Sequence, residues 1–275
     1  MSHVGRLKWS FTLVVAITAL LAASAAKSSV RPQAAQGRSA SAPVAIVVLG
    51  DSDATGHGDP TRAGWVGRYA LLLRQKLGLR VTVLNLAQDG KTASQLLADV
   101  RSDSATRAAL KEARIVLLGI GGADMNAGDA NVQAGKCKAK VEACYAPVLR
   151  AFGRDFDSTV ALIRKLEGSR TIALRAITPA ISVIGAEDMI PPFLKPFATR
   201  ISVYQGKTFA AIICRSMTNH GGRCVDVLRS FNGPHGTDNA YRTGLMNHAD
   251  CCYPSAKGQQ LMAELLLKTG LKPLR

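Results

Sequence analysis

The sequence predicts a three-layer α/β/α domain built on a parallel sheet of about five strands. Two observations carry that expectation. Short, almost wholly apolar runs at 44–49 and 115–120 have the character of strands buried on both faces. Between such runs lie segments whose apolar residues recur at helical spacing. Regular alternation of strand and helix places helices on both faces of one parallel sheet, because the crossovers are right-handed.

The elements follow in order. Residues 44–49 form the first strand. Val66, Tyr69, Leu73 and Leu77 then mark a helix that Gly78 stops. Residues 80–84 are the second strand, 94–100 a short helix and 115–120 the third strand. Beyond a cysteine-bearing loop, Leu149, Phe152, Phe156, Val160, Ile163 and Leu166 trace one long amphipathic helix, followed by a strand at 171–177. Residues 198–215 make a further helix, 224–227 a short fifth strand and 256–268 a closing helix. Ligands of such sheets sit beyond the carboxyl ends of the strands.

The chain opens differently. Residues 1–25 have a basic start (Arg6, Lys8), an apolar run from Trp9 to Leu21 and small residues at 23–25, the pattern of a secretory signal peptide. An uncleaved anchor is the alternative, but the run falls short of the roughly 20 residues a spanning helix needs. Residues 26–43 are rich in Ser, Ala and Gln without apolar periodicity and read as a linker. The remaining 44–275 suit one well-buried domain.

The formal net charge is +16, of which Arg6 and Lys8 supply two. No nucleic-acid-binding motif accompanies that charge, so an anionic cell surface is a better-fitting contact than DNA or RNA, and a merely soluble basic surface is the plainest reading. Six cysteines in an exported chain suggest disulfides. Proximity favours Cys137 with Cys144 and Cys214 with Cys224. Cys251 and Cys252 remain side by side, either joined to each other or stiffening their loop, and nothing near them has the spacing of a metal site.

Three loops leave the carboxyl ends of the strands with small or polar residues: Gly50-Asp51-Ser52, then Asn85 to Gly90, then Gly121-Gly122-Ala123-Asp124. With Asp250…Pro254 before the last helix, these four blocks in series resemble the SGNH (GDSL) hydrolase family of esterases and lipases. The resemblance implies the flavodoxin-like SGNH hydrolase fold over nearly all of 44–275. It also implies Ser52 as the nucleophile that attacks an ester carbonyl, and Gly90 as a backbone oxyanion donor. A plain alternative is that Asp51 and Ser52 only cap a helix and Gly90 only turns the chain.

Two blocks depart from the family pattern. Where the family has an asparagine as a third oxyanion donor, this chain has Ala123, whose methyl donates nothing, unless Asn126 reaches in. Where the family ends in Asp-x-x-His-Pro, the aspartate is Asp250 and the proline Pro254, but the histidine position is Tyr253. A phenol with a pKa of about 10 is a poor general base at neutral pH. His248, two residues before Asp250, is the nearest substitute in sequence, with His57 and His235 as others.

Other features carry less. Asp124 either ties its loop or touches substrate. Arg68, Arg74 and Lys76 read as the solvated face of the first long helix. Residues 191–196, PPFLKP, serve either as a lid or substrate wall with Phe193 and Leu194 or as a rigid turn. The expectation is therefore an exported serine esterase of reduced activity on a lipid or acetylated-carbohydrate ester, needing no metal or organic cofactor. Catalytic residues are Ser52, Asp250 and His248, with Gly90 and Ala123 at the oxyanion. The alternative is a catalytically inactive relative that binds an acyl or glycan ligand at the cell surface; the oligomeric state is not legible.

Overall fold

The computed structural model of the protein describes residues 42–137, 140–250 and 252–274. The expected signal peptide, most of the linker, and Cys251 lie outside the described residues. Five parallel strands, β1 (Val44–Gly50), β2 (Val81–Asn85), β3 (Ile115–Gly119), β4 (Ala173–Ile177) and β5 (Arg223–Val225), form one sheet in the order β2-β1-β3-β4-β5. That is the flavodoxin-like arrangement of an SGNH hydrolase fold.

Alternation along β1 divides the core. Ile46 and Val48 point to one face with Ile115 and Leu117, against α2 (Gly64–Leu77) and α9 (Ala256–Lys268). Val47 and Leu49 point to the other with Val116, Leu118 and Leu174, against α3 (Ala93–Ser102), α4 (Ser104–Glu112), α6 (Ala146–Glu167) and α7 (Ala198–Asn219). Every residue of β3 and β4 is buried, whereas β2, at the edge, buries only Val81. A continuous apolar run thus marks central strands and fails to mark an edge one.

Three further α-helices are α1 (Ser52–Thr55), α5 (Gly122–Gln133) and α8 (Val227–Asn232), and single 3-10 turns lie at Val141–Cys144 and Lys195–Phe197. Sequence periodicity foresaw none of these helices, nor α4. In α5 the residues are mostly small and polar, and Gly128 is its one buried residue, so it carries no apolar stripe. The expected strand at 224–227 ends at Val225 because Asp226 caps α8, accepting the Arg229 N–H. Helix α7 continues to Asn219, four residues beyond its expected end. In β4, Arg175 is buried and spends its guanidinium on Leu174 O, Thr269 Oγ1, Gly270 O and Lys272 O, which fastens the chain beyond α9 to the sheet.

The cysteine pairs Cys137–Cys144 and Cys214–Cys224 are joined, with Cα atoms 5.3 and 4.8 Å apart. Among the described residues, no helix is long and apolar enough to cross a membrane.

Candidate active site

The carboxyl end of β1 is built by close approach to β3. Gly50 has φ +155°, and a Cβ there would lie 1.8 Å from Gly119 O, so only glycine fits. Asp51 follows, almost fully buried. Its Oδ2 accepts the N–H groups of Gly121 and Gly122 at 2.9 Å each, which lashes the first loop to the third, and its Oδ1 accepts from Asp53 N. Burial nevertheless pushes the Asp51 carboxyl above its usual range, outweighing those hydrogen bonds. Burial, reinforced by the charge of Asp51, pushes Asp53 up to about 7.

Ser52 is the first residue of α1, so its N–H has no acceptor within the helix. Its side chain is half-buried and borders a cavity of about 430 Å³ together with Gly90, Ala123, Asn126 and Tyr253. Gly90 is exposed, with φ +75° and open space where a Cβ would be. The second loop is held by Asn85, whose Nδ2 donates to Ala54 O, and by Asp89, whose Oδ1 accepts from Thr55 Oγ1. Asp124 accepts the N–H of Ala93 at 3.0 Å at the start of α3, so it ties the loops together. Burial, chiefly, pushes it up to about 6.

Tyr253 stands where the family pattern has histidine. The side chain of Ser52 lies beside its phenol at the cavity. Burial pushes this phenol up; the carboxylates of Asp53, Asp89 and Asp250 push it further, and the nearby Ser52 side chain offsets only part. Tyr253 is therefore a neutral phenol near pH 7.

Behind Tyr253 lies His57, its ring centroid 4.2 Å from that of the tyrosine at a tilt of 39°. His57 Nε2 is 3.5 Å from Asp250 Oδ2, and Nδ1 is 3.7 Å from Asp89 Oδ2. Nδ1 is buried and closes no hydrogen bond. The segment carrying His57 is pinned to α9 by Gln259, which accepts from Trp65 N and donates to His57 O. Gly58, at φ +77°, sits so close to Tyr253 that a Cβ would lie 2.5 Å from the tyrosine's own. Arg68, expected to be merely solvated, instead binds the buried Asp59 at 2.9 Å and braces the same loop.

The structure thus gathers Ser52, Gly90, Ala123 and Tyr253 around one cavity and sets Asp250 beside His57. It does not bring His248 there: that ring is exposed and lies 4.4 Å from the ring of Tyr241. His57 is carried back to the Asp250 loop by the turn after α1, whereas His248 is exposed and packs on Tyr241. Cys252 is disulfide-bonded and lines the cavity. Pro191 and Leu194 form part of its wall, while Phe193 does not. Among the described residues, no group of three His, Cys, Asp or Glu side chains is placed to hold a metal ion.

Sequence reasoning missed the far end of this cavity. Ala123, Asn126 and Asp129 are spaced by three along α5, and Ala198, Ile201, Ser202 and Gln205 by three or four along α7; both rows line it. That helical spacing was the available signal, but it consists of small and polar residues rather than an apolar stripe.

The GDSL-like Lipase/Acylhydrolase family matches residues 48–261. No protein of curated function matches the chain in sequence. Similar solved structures include the lipase Lip_vut3 from a goat rumen metagenome, 16% identical with a TM-score of 0.65, covering 84% of this chain and 100% of that one. The lipase/acylhydrolase of Enterococcus faecalis is 19% identical with a TM-score of 0.55, covering 84% and 98%. A catalytic mutant of the acetylxylan esterase of Geobacillus stearothermophilus is 17% identical with a TM-score of 0.57, covering 82% and 93%.

Proposed function

Because the chain belongs to the GDSL-like lipase/acylhydrolase family, we propose that it hydrolyses carboxylic esters, with Ser52 as nucleophile and the N–H groups of Ser52 and Gly90 holding the oxyanion. The observation that carries this reading is the hydroxyl of Ser52 at the rim of a 430 Å³ cavity with Gly90 and Tyr253 beside it. That volume suits a small ester.

Proton transfer takes an unusual route in this reading. A neutral phenol cannot keep the serine proton, so Tyr253 relays it: its oxygen accepts the proton of Ser52 as its own hydroxyl proton passes to His57. The Asp250 carboxylate then stabilises the imidazolium. On breakdown of the tetrahedral intermediate the relay reverses and protonates the leaving alcohol. A second such cycle, with water in place of serine, frees the acid. The third oxyanion donor is weakened by Ala123, and losing such a donor lowers turnover by about 10²–10³.

The place of Tyr253 beside Ser52 at the cavity also supports a second reading, in which the tyrosine occupies the base's seat and the cavity only binds an acyl or glycan ligand. Hydrolysis of p-nitrophenyl acetate by purified protein and by its Ser52→Ala variant decides between them. Turnover abolished by the substitution supports the enzyme; equal rates, or none in either, reject it.

The N-terminal pattern and the two cysteine pairs support export. Fractionation of producing cells, with N-terminal sequencing of the exported form, tests this: protein confined to the cytoplasm rejects it.

A further inference from the structure

Away from Ser52, the cavity ends in polar groups that the proposed chemistry does not use. Asp129 lies six residues beyond Ala123 on α5, about 9 Å along the helix axis at 1.5 Å per residue. The hydroxyl of Tyr145, a buried residue, donates to Asp129 Oδ1. Across from them on α7 stand Ser202 and Gln205, both buried, Gln205 only 6% exposed. The Gln205 side chain leans toward the Tyr145 phenol, yet its Nε2 is buried and closes no hydrogen bond.

A buried amide without a partner has lost its water and gained nothing in exchange, so a ligand that pairs it is favoured. The surrounding wall is apolar, formed by Ala180, Val183, Ile190, Leu194, Ala198 and Ile201. An alkyl chain filling the cavity to its end would leave the amide unpaired and strip water from Asp129 as well. A hydroxyl group fits both: its oxygen accepts from the Gln205 amide and its hydrogen is donated to Asp129.

We infer that the far end of the cavity, at Asp129, Tyr145 and Gln205, is a hydrogen-bonding subsite for a hydroxyl on the substrate about 9 Å from the ester. The substrate class is then a hydroxylated ester, with the hydroxyl on either the acyl or the alcohol part, rather than a plain alkyl ester. This rests on the reading that Ser52 marks the reacting end. Sites built to bond a substrate hydroxyl reject analogues that lack it far more strongly than apolar pockets reject one methylene.

Two matched pairs test the subsite and distinguish the sources. p-Nitrophenyl 8-hydroxyoctanoate against p-nitrophenyl octanoate probes the acyl side, and 8-hydroxyoctyl acetate against octyl acetate the alcohol side. The affinity of each is measured by calorimetry on the Ser52→Ala protein, where no turnover is needed, and kcat/KM on the parent. The expected result is a preference of tenfold or more for the hydroxylated member of one pair. It should collapse to within about twofold in Gln205→Met, which keeps the shape and loses the amide, and in Gln205→Glu, which replaces the donor with an acceptor. Thermal melts establish that each variant is folded, and Tyr145→Phe takes the place of any that is not. Discrimination by Ser52→Ala with no turnover by the parent overturns the esterase reading and leaves the subsite standing. Neither pair separated by more than twofold, or a preference that survives in the folded variants, overturns the subsite.

Discussion

The imidazole of His57 lies 4.2 Å from the phenol ring of Tyr253, tilted by 39°, while its Nε2 faces Asp250 at 3.5 Å. A histidine from the first loop thereby meets the acid of the last. The side chain of His57 is 31% exposed and that of Asp250 42%, so the pair is screened by solvent and adds little to stability. Its variants consequently report on chemistry rather than folding.

His57→Ala is expected to lower kcat for p-nitrophenyl acetate by about 10²–10⁴, the usual contribution of a positioned acid–base group. Asp250→Asn should lose less, and the double variant should be no worse than His57→Ala, because the two act as a unit. His248→Ala should change kcat less than twofold. Steady-state kinetics of the four proteins check this, and a larger loss in His248→Ala than in His57→Ala counts against the assignment.

Tyr253 admits two substitutions with opposite expected signs. Tyr253→Phe keeps the ring against His57 but removes the phenol oxygen beside Ser52; kcat should fall by tenfold or more if the phenol relays the proton. Tyr253→His places an imidazole at that seat beside Asp250 and should raise kcat by tenfold or more. Unchanged rates in Tyr253→Phe exclude the relay.

The central strands, the long helices α6 and α7 and the order of the four loops were legible because burial on both faces and a 3.6-residue period leave direct marks in sequence. Helices α4, α5 and α8 were not, since they are short or carry no apolar stripe, and α5 forms one wall of the cavity. Ser52, Asp250 and the loss at Tyr253 were readable as a local pattern. The meeting of His57 with Asp250 was not: their nearness arises from the turn at 56–64, whose course depends on Gly58 meeting Tyr253 and on Gln259 reaching across from α9. Sequence distance favoured His248, whose exposed ring lies against Tyr241, while His57 meets Asp250.

Asp53 makes stability depend on pH. Its carboxyl is pushed up to about 7 in the folded protein, chiefly by burial, against about 3.9 for an unfolded chain. Between those values the folded state holds a proton the unfolded state has released, so stability is greatest below about pH 4 for this group and is lost as pH rises to 7. Asp53→Asn removes the titration. Its melting temperature should match the parent's near pH 4 and exceed it at pH 8 by about 2–4 °C for each kcal/mol relieved. A difference that does not grow with pH between 4 and 8, followed by circular dichroism, contradicts the shift.

Ala123 is the second departure from the family pattern and sits at the cavity beside Ser52, one helical turn before Asn126 on the same wall. An amide at 123 adds a donor only where charge develops on the substrate oxygen, so Ala123→Asn should raise kcat by about tenfold or more with little change in KM. If Asn126 already supplies part of that stabilisation, Asn126→Ala should lower kcat in the parent and do so less in the Ala123→Asn background. The interaction between the two substitutions, read from kcat in all four combinations, measures how far one amide replaces the other. A parent rate indifferent to both shows that the oxyanion is held by the backbone of Ser52 and Gly90 alone.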